Sequence, residues 1–439
     1  MGQHDKRRAS ISGTSPVDEG TSRNDGPTCL EPFSHQVGGH VSVLRWDDRT
    51  VCKPYSNREH QFYERLLTFK ALFDFVPAFK GVIEVGLVED TSGYLTLTAL
   101  PPTLPNTSSA RSLDDKTLSK PSKTTKIKLK RSGSLELECC GSVEEVFQDV
   151  GTSFYPQNPW AIRCQTSHIA KMRRKNKERH QFLLLQNLVF NYRYPCILDL
   201  KMGTQQHGDD ASEAKRISQV AKCQRSTSAC LGARMCGMQV YQRRSGVFKC
   251  HNKYYGRYLS VEGFKAEIRS FLHNGETFRA DLIELFLGKL QDLLHILETA
   301  DGYRFYSSSL LLIYDGAEQE EYEDALPHAD VRMIDFEHST FRGFGNDTPH
   351  DGPDLGYIFG VKSIMEILEE IRAHTIDQAS ASSTAASREG NASNLSAHMG
   401  SGANMGDANR GAFLYDSGSS TCCCSADALT PDDSMAERA

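Results

Sequence analysis

From Phe33 to Ile371 short apolar runs alternate with polar turns, whereas residues 1–28, 101–145 and 376–439 show little apolar periodicity. Val41, Val43 and Leu44, a turn at Asp47-Asp48, and Val51-Cys52-Lys53 read as a hairpin. The glycines of Gln36-Val37-Gly38-Gly39-His40 before it permit a tight backbone approach. Ser56-Asn57-Arg58-Glu59 has the form of a capping box, and Phe62, Leu66 and Phe69 make one helical stripe. Strands are predicted over Pro77 to Val88 and Tyr94 to Leu100. A helix with Ile169 and Met172 inward then leads into the apolar strand Phe182 to Leu185.

Pro195 to Lys201 reads as a buried strand that opens into a loop loosened by Gly203 and Gly208. Asp210 with Glu213 is the expected cap of a helix running to about Arg225. Two strands (Leu231 to Tyr241, Val247 to Tyr255), a helix capped by Ser260 and a longer leucine-rich helix from Leu282 to Leu297 follow. Buried strands Tyr306 to Tyr314 and Val331 to Phe336 precede a last helix, capped by Asp354 and running to about Ile371. The helices between Ser260 and Leu297 mark a helical lower lobe in a chain that mixes strands and helices, an α+β class.

The 439 residues are 39% hydrophobic, with mean hydropathy −0.46, so a globular body diluted by polar segments is expected. The net charge of −6 argues against nucleic acid as a partner and confines any anion site to a local basic pocket. No apolar run is long enough to span a bilayer, and no signal-peptide core is present. The 13 cysteines therefore read as reduced thiols of a cytoplasmic or nuclear protein. The Cys422-Cys423-Cys424 triplet is either a lipidation site or a set of idle thiols in a tail. The basic run from Lys126 to Arg131 serves either as a targeting or interaction signal or as part of a solvated insertion.

Charges inside buried strands single out the candidate chemistry. Asp199 and Lys201 are two apart, so a strand aims both at one space, either as a structural ion pair or as a site. Lys53 in a strand before a helix bearing Glu59 and Glu64 is an arrangement that holds nucleotide phosphates in protein kinases. Lys215 and Lys222 lie seven apart, near two helical turns, on either a solvated or an anion-binding face. Asp335 ends a buried strand and is a candidate Mg2+ ligand; Ser309, among the hydroxyls at the start of its strand, is a second.

Several separated strings resemble the inositol hexakisphosphate kinases of the inositol polyphosphate kinase family. Pro195, Asp199, Lys201 and Gly203 match the family pattern, and His207-Gly208-Asp209-Asp210-Ala211-Ser212-Glu213 matches the subgroup. Val37-Gly38-Gly39-His40, Cys236 to Tyr241, Ser307 to Leu311 and His350 to Asp354 add support. The resemblance implies a two-lobed protein-kinase-like fold with antiparallel sheets in both lobes, a helical substrate-binding segment and disordered tails. It implies an ATP- and Mg2+-dependent kinase that phosphorylates an existing phosphate of inositol hexakisphosphate, at ring position 5 by analogy. Carried over by residue, Lys53, Asp199, Asp335 and the hinge Gln186, Asn187 and Leu188 go to ATP, and Asp335 also to Mg2+. Lys201 and Asp335 are the catalytic pair. Lys201, the helix segment Lys215, Arg216, Ile217, Ser218, Gln219, Val220, Ala221 and Lys222, and His338 go to the inositol phosphate.

On this reading residues 1–28 are a disordered tail, 29–100 the first part of the N-lobe, and 101–145 a disordered basic insertion. Residues 146–190 complete the N-lobe and hinge, 191–375 form the C-lobe with an inositol-phosphate-binding segment at 203–228, and 376–439 are a disordered tail. A monomer is expected, with protein partners reached through the tails. Gln186, Gln205 and Glu337 depart from the residues usual in relatives, which are Glu, Arg and a small residue. A less phosphorylated inositol phosphate as substrate, and a non-catalytic inositol-phosphate-binding scaffold, are the alternatives.

Overall fold

A computed structural model describes residues 29–89, 94–100, 127–129, 135–137, 141–142, 153–155, 158–175, 177–317 and 328–395. Among the described residues, those up to Ala379 belong to one compact unit and those from Ser380 to a second. The predicted N-terminal tail, the acidic stretch Glu318 to Asp324 and the cysteine triplet lie outside the described residues.

The first nine strands are β1 (Cys29–Pro32), β2 (Leu44–Asp47), β3 (Thr50–Pro54), β4 (Phe79–Glu89), β5 (Tyr94–Leu100), β6 (Ile127–Leu129), β7 (Leu135–Leu137), β8 (Gly141–Ser142) and β9 (Ser153–Tyr155). They are followed by β10 (His180–Gln186) and β11 (Pro195–Met202), then β12 (Ala233–Gln242) and β13 (Val247–Asn252), and finally β14 (Ser309–Asp315) and β15 (Ala329–Ile334). One antiparallel sheet has the order β1-β2-β3-β10-β4-β5-β6-β7-β8, and β1 also pairs with β5, so six of its strands close on themselves. The second, also antiparallel, has the order β15-β14-β11-β12-β13-β9.

The expected antiparallel sheets are thus present, with helices packed on the second. Described pieces of the 101–145 insertion extend the first sheet as β6, β7 and β8, where the alternation of Ile127, Lys128 and Leu129 suits a strand.

Helix α1 (Asn57–Leu66) starts at Ser56, whose hydroxyl accepts from the Glu59 N–H, and buries Phe62 and Leu66. Only half of the predicted capping box forms, because the Glu59 side chain turns inward. Phe69 falls beyond the helix, at the cap of a following 3-10 turn. Helix α2 (Pro159–Lys175) buries Ile169 and Met172 as expected. Helix α3 (Glu213–Gln224) is capped by Ser212 rather than by Asp210; the Ser212 hydroxyl accepts from Lys215 N–H.

Next come α4 (Ser228–Leu231), α5 (Lys253–Arg257), α6 (Val261–Phe271), α7 (Asp281–Thr299) and α8 (Leu355–Leu395). Asp354 starts α8 as predicted, accepting from Tyr357 N–H through one oxygen and from Phe305 N–H through the other. The helix continues to Leu395, beyond the predicted tail boundary, through a stretch whose alanines favour helix.

Strand alternation decides which side chains face the site. In β11, Cys196, Leu198, Leu200 and Met202 enter the large core with Phe286, Leu290 and Ile364 of the helices. Ile197, Asp199 and Lys201 then project from the other face, and Ile197 joins a small cluster with Val37, Val189 and Ile313. Leu310, Leu312 and Tyr314 of β14 enter the large core, so Ser309 is left on the site face.

Candidate active site

Lys53 is delivered by β3, held between β2 and β10, and its ammonium lies 2.9 Å from a Glu59 oxygen and 2.7 Å from Asp335 Oδ1. Glu59 is fully buried and also accepts from Phe336 N–H at 3.2 Å, which ties α1 to the end of β15. Burial would lower the Lys53 pKa, but the two carboxylates override it and hold the ammonium well above its usual range. Burial likewise works to raise Asp335, and Lys53 reverses this and keeps the carboxyl below its usual value. Asp335 has φ +64, a left-handed conformation that costs about 1–2 kcal/mol for a residue with a side chain. The turn aims its carboxylate back at Lys53.

Asp199 is 3% exposed, and its Oδ1 is buried with no hydrogen-bond partner. Burial pushes its carboxyl up to about 7, against a hydrogen bond from Ser309 that lowers it, while the charge of Asp335 adds to the rise. The glycine loop lies directly on this group. A Cβ at Gly38 would fall 1.9 Å from Asp199 Oδ2, and one at Gly237 would fall 1.9 Å from the Val37 carbonyl oxygen. Trp160 Nε1 donates to the Gly38 and Gly39 carbonyls, and Gln36 fastens the loop at Val41 and Val43.

Lys201 pairs in register with Ser309 on β14 and with Arg234 on β12. Its ammonium donates to Ser307 Oγ at 2.6 Å, and burial draws its pKa below the normal lysine value. Ser307 sits at φ +61, in a turn that presents its hydroxyl to Lys201.

A cleft of about 860 Å3, open to solvent, collects Lys53, Glu59, Asp199 and Asp335 with Gln186, Asn187 and Leu188. Apolar Val51, Leu185, Val189, Ile197 and Leu311 line its walls, a setting suited to an aromatic base. The N–H groups of Gln186 and Asn187 already donate to Ala78 and Arg49 carbonyls, at 2.9 Å each. Leu188 N–H makes no such bond among the described residues. The predicted hinge therefore narrows, as a donor, to Leu188.

On the α3 side, Lys215 Nζ lies 3.3 Å from His338 Nε2, which joins α3 to the segment after Asp335. Burial and then the Lys215 charge push the His338 imidazole down to about 4. Arg216 turns away to a bidentate pair with Glu213, and Ile217 is 59% exposed. Ser218, Gln219, Ala221 and Lys222 are half-buried, and Val220 is exposed, so the segment does not present a uniform face. Gln205 donates to the His207 carbonyl, and His350 meets Asp209 at 2.8 Å, so internal contacts hold the loop before α3.

Three contributors carry no local signal in the sequence. Arg234 lies in the strand expected over Leu231 to Tyr241, whose partner strand the sequence does not name. Ser307 was one of several equivalent hydroxyls, and Gly237 gave no hint of the Val37 carbonyl above it. The cross-strand partner of Lys201 is the signal that finds Arg234, and it needs the register.

The inositol polyphosphate kinase family model matches residues 182–369. Inositol hexakisphosphate kinase 1 of Mus musculus is 42% identical over 411 residues, a match covering 79% of this chain and 94% of that protein. The chain belongs to the inositol polyphosphate kinase family. Within it, inositol hexakisphosphate kinase 3 of Homo sapiens is 43% identical over 395 residues, covering 78% of this chain and 95% of the relative. Inositol hexakisphosphate kinase 2 of Homo sapiens is 40% identical over 406 residues, covering 78% and 94%.

A solved inositol phosphate multikinase of S. cerevisiae, in complex with ADP and Mn2+, is 25% identical and covers 50% of this chain and 98% of its own, with a TM-score of 0.40. The stretch matched by the inositol polyphosphate kinase family model contains Asp199, Lys201, Asp335 and His338, and leaves Lys53 and Glu59 outside it.

Proposed function

We propose that this protein is an ATP-dependent inositol hexakisphosphate kinase that adds a phosphoryl group to an existing phosphate and forms a diphosphoinositol pentakisphosphate, at ring position 5. The observation that carries the reading is the convergence of Lys53, Asp199 and Asp335 on a single apolar-walled cleft, with Lys201 two residues beyond Asp199 on the same face of β11. Relatives named for this activity, at 40–43% identity over most of the chain, support it.

The attacking group is a phosphate oxygen, already largely deprotonated at neutral pH, so the site needs no strong general base. What it must supply is positioning and charge neutralisation for two polyanions. Lys53 contacts the nucleotide phosphates, and the aromatic base lies between the apolar walls with Leu188 N–H available to its edge. Lys201, held by Ser307, faces the transferring phosphoryl group. Lys215 and His338 meet the inositol phosphate from the α3 side.

A divalent metal, Mg2+ in this proposal, fits the donor set, since Asp335 keeps 36% of its side chain exposed and Asp199 Oδ1 is an orphaned buried oxygen facing the same space. Asp335 would hold it, with Asp199 and Ser309 beside it. When bound, such an ion neutralises charge on the phosphoryl oxygens.

The test is incubation of purified protein with ATP, Mg2+ and each inositol phosphate in turn, with products resolved by chromatography. A diphosphate product from inositol hexakisphosphate is expected. Turnover only on less phosphorylated inositol phosphates, or none, would overturn the proposal.

A further inference from the structure

Arg234 stands directly opposite Lys201 in the β11–β12 ladder, so the two side chains leave the sheet on one face. Like charges placed directly opposite across a ladder are destabilising, and burial makes the repulsion worse. Arg234 is 8% exposed, and its Nη1 is buried with no hydrogen-bond partner. No carboxylate forms an ion pair with it among the described residues. A guanidinium withdrawn from water and left unpaired is a costly arrangement for a fold to retain.

Its position suggests what relieves the cost. The charge of Arg234 acts on Asp199 and Lys201, on the Cys236 thiol of its own strand, and on the Cys223 thiol of α3. Cys223 in turn donates to the Thr204 carbonyl at 3.0 Å, at the root of the loop leading to α3. The guanidinium is thus close both to Lys201, its cross-strand partner, and to the base of the lysine-bearing helix.

We infer that Arg234 is a specificity-determining residue for the inositol phosphate, its charge held in reserve for a substrate phosphate seated between Lys201 and α3. The inference rests on the proposed function, and it adds a guanidinium fixed in a strand to a site otherwise built from lysines and a histidine. A planar guanidinium favours a highly phosphorylated ring, because it takes two phosphate oxygens at once.

The experiment measures inositol hexakisphosphate binding by calorimetry and turnover by product chromatography for wild type, Arg234→Met and Arg234→Lys, with thermal melting of each ligand-free protein. Expected for Arg234→Met is a loss of affinity and a rise in KM for inositol hexakisphosphate of about tenfold or more, with KM for ATP within about twofold. Its ligand-free melting temperature should equal or exceed that of wild type, since an unpaired buried charge is gone. Arg234→Lys should recover part of the affinity. Unchanged binding and KM in Arg234→Met would overturn the inference, as would a lowered ligand-free melting temperature, which assigns the guanidinium to the fold. Product formation by wild type is read separately. Its failure overturns the proposed function, whereas normal wild-type turnover with an unaffected Arg234→Met overturns only the role of Arg234.

Discussion

Lys53 Nζ bridges Asp335 Oδ1 at 2.7 Å and Glu59 Oε2 at 2.9 Å, so one buried ammonium pairs with a fully buried carboxylate and orients one that reaches the cleft. The two carboxylates are not equivalent. Glu59 has a side chain 1% exposed and holds a backbone N–H, whereas Asp335 reaches the open cleft with 36% of its side chain exposed.

Replacing Lys53 by Met should therefore damage both stability and activity. It leaves Glu59 buried and unpaired, at a cost of about 3 kcal/mol or more. Adding Glu59→Gln to Lys53→Met should recover most of that stability in denaturant melts while kinase activity stays lost. Recovery of activity would remove Lys53 from nucleotide binding.

Asp199 makes stability depend on pH. Its carboxyl rises from 3.8 to about 7 on burial, so folding favours the protonated form, and the wild type loses that contribution as pH climbs from about 4 to 7. The displacement corresponds to about 4 kcal/mol, an upper figure. Asp199→Asn cannot ionise, so its ligand-free melting temperature should exceed that of wild type by more at pH 8 than at pH 5, while nucleotide affinity falls. A constant difference across that range would show that Asp199 titrates normally.

Gly38→Ala places a methyl 1.9 Å from an Asp199 oxygen, and the loop is fastened by Trp160 and Gln36, so it cannot simply lift away. KM for ATP should rise by about tenfold or more, with a smaller effect on inositol phosphate binding. Gly39 is the contrasting position. Its nearest side-chain neighbour lies at 3.6 Å, so the φ of +79 rather than space limits substitution there.

His338 should take up a proton when substrate binds. Burial and Lys215 push its imidazole down to about 4 in the free protein, and a polyanion beside it moves the value back up. Affinity for inositol hexakisphosphate should then increase as pH falls from 7 towards 5. Calorimetry in buffers of different ionisation enthalpy should record proton uptake, and His338→Gln should abolish it. Uptake that persists in His338→Gln would assign the proton to another group, such as the substrate itself.

The residues that could be read without coordinates share one property: their relationships are local. Asp199 and Lys201 are two apart on a strand, and a period of two places them on one face whatever the rest of the chain does. The Ser56 cap and the Asp354 cap depend on three or four neighbouring residues. The α3 cap lies at Ser212, two residues beyond the expected Asp210, because both are good caps and only the path of the loop chooses between them.

Sequence alone thus determined the α+β class, the strand carrying Asp199 and Lys201, and the family resemblance that named a substrate. Tertiary structure decided which groups meet. Lys53 and Asp335 are 282 positions apart, and no local pattern predicts their contact. The Lys201–Arg234 pairing follows from the β11–β12 register, bulged between Asp199 and Leu200, and a one-residue slip would send the arginine into the apolar core. The left-handed turns at Ser307 and Asp335 exist because the surrounding fold compensates a conformation that neither residue prefers alone.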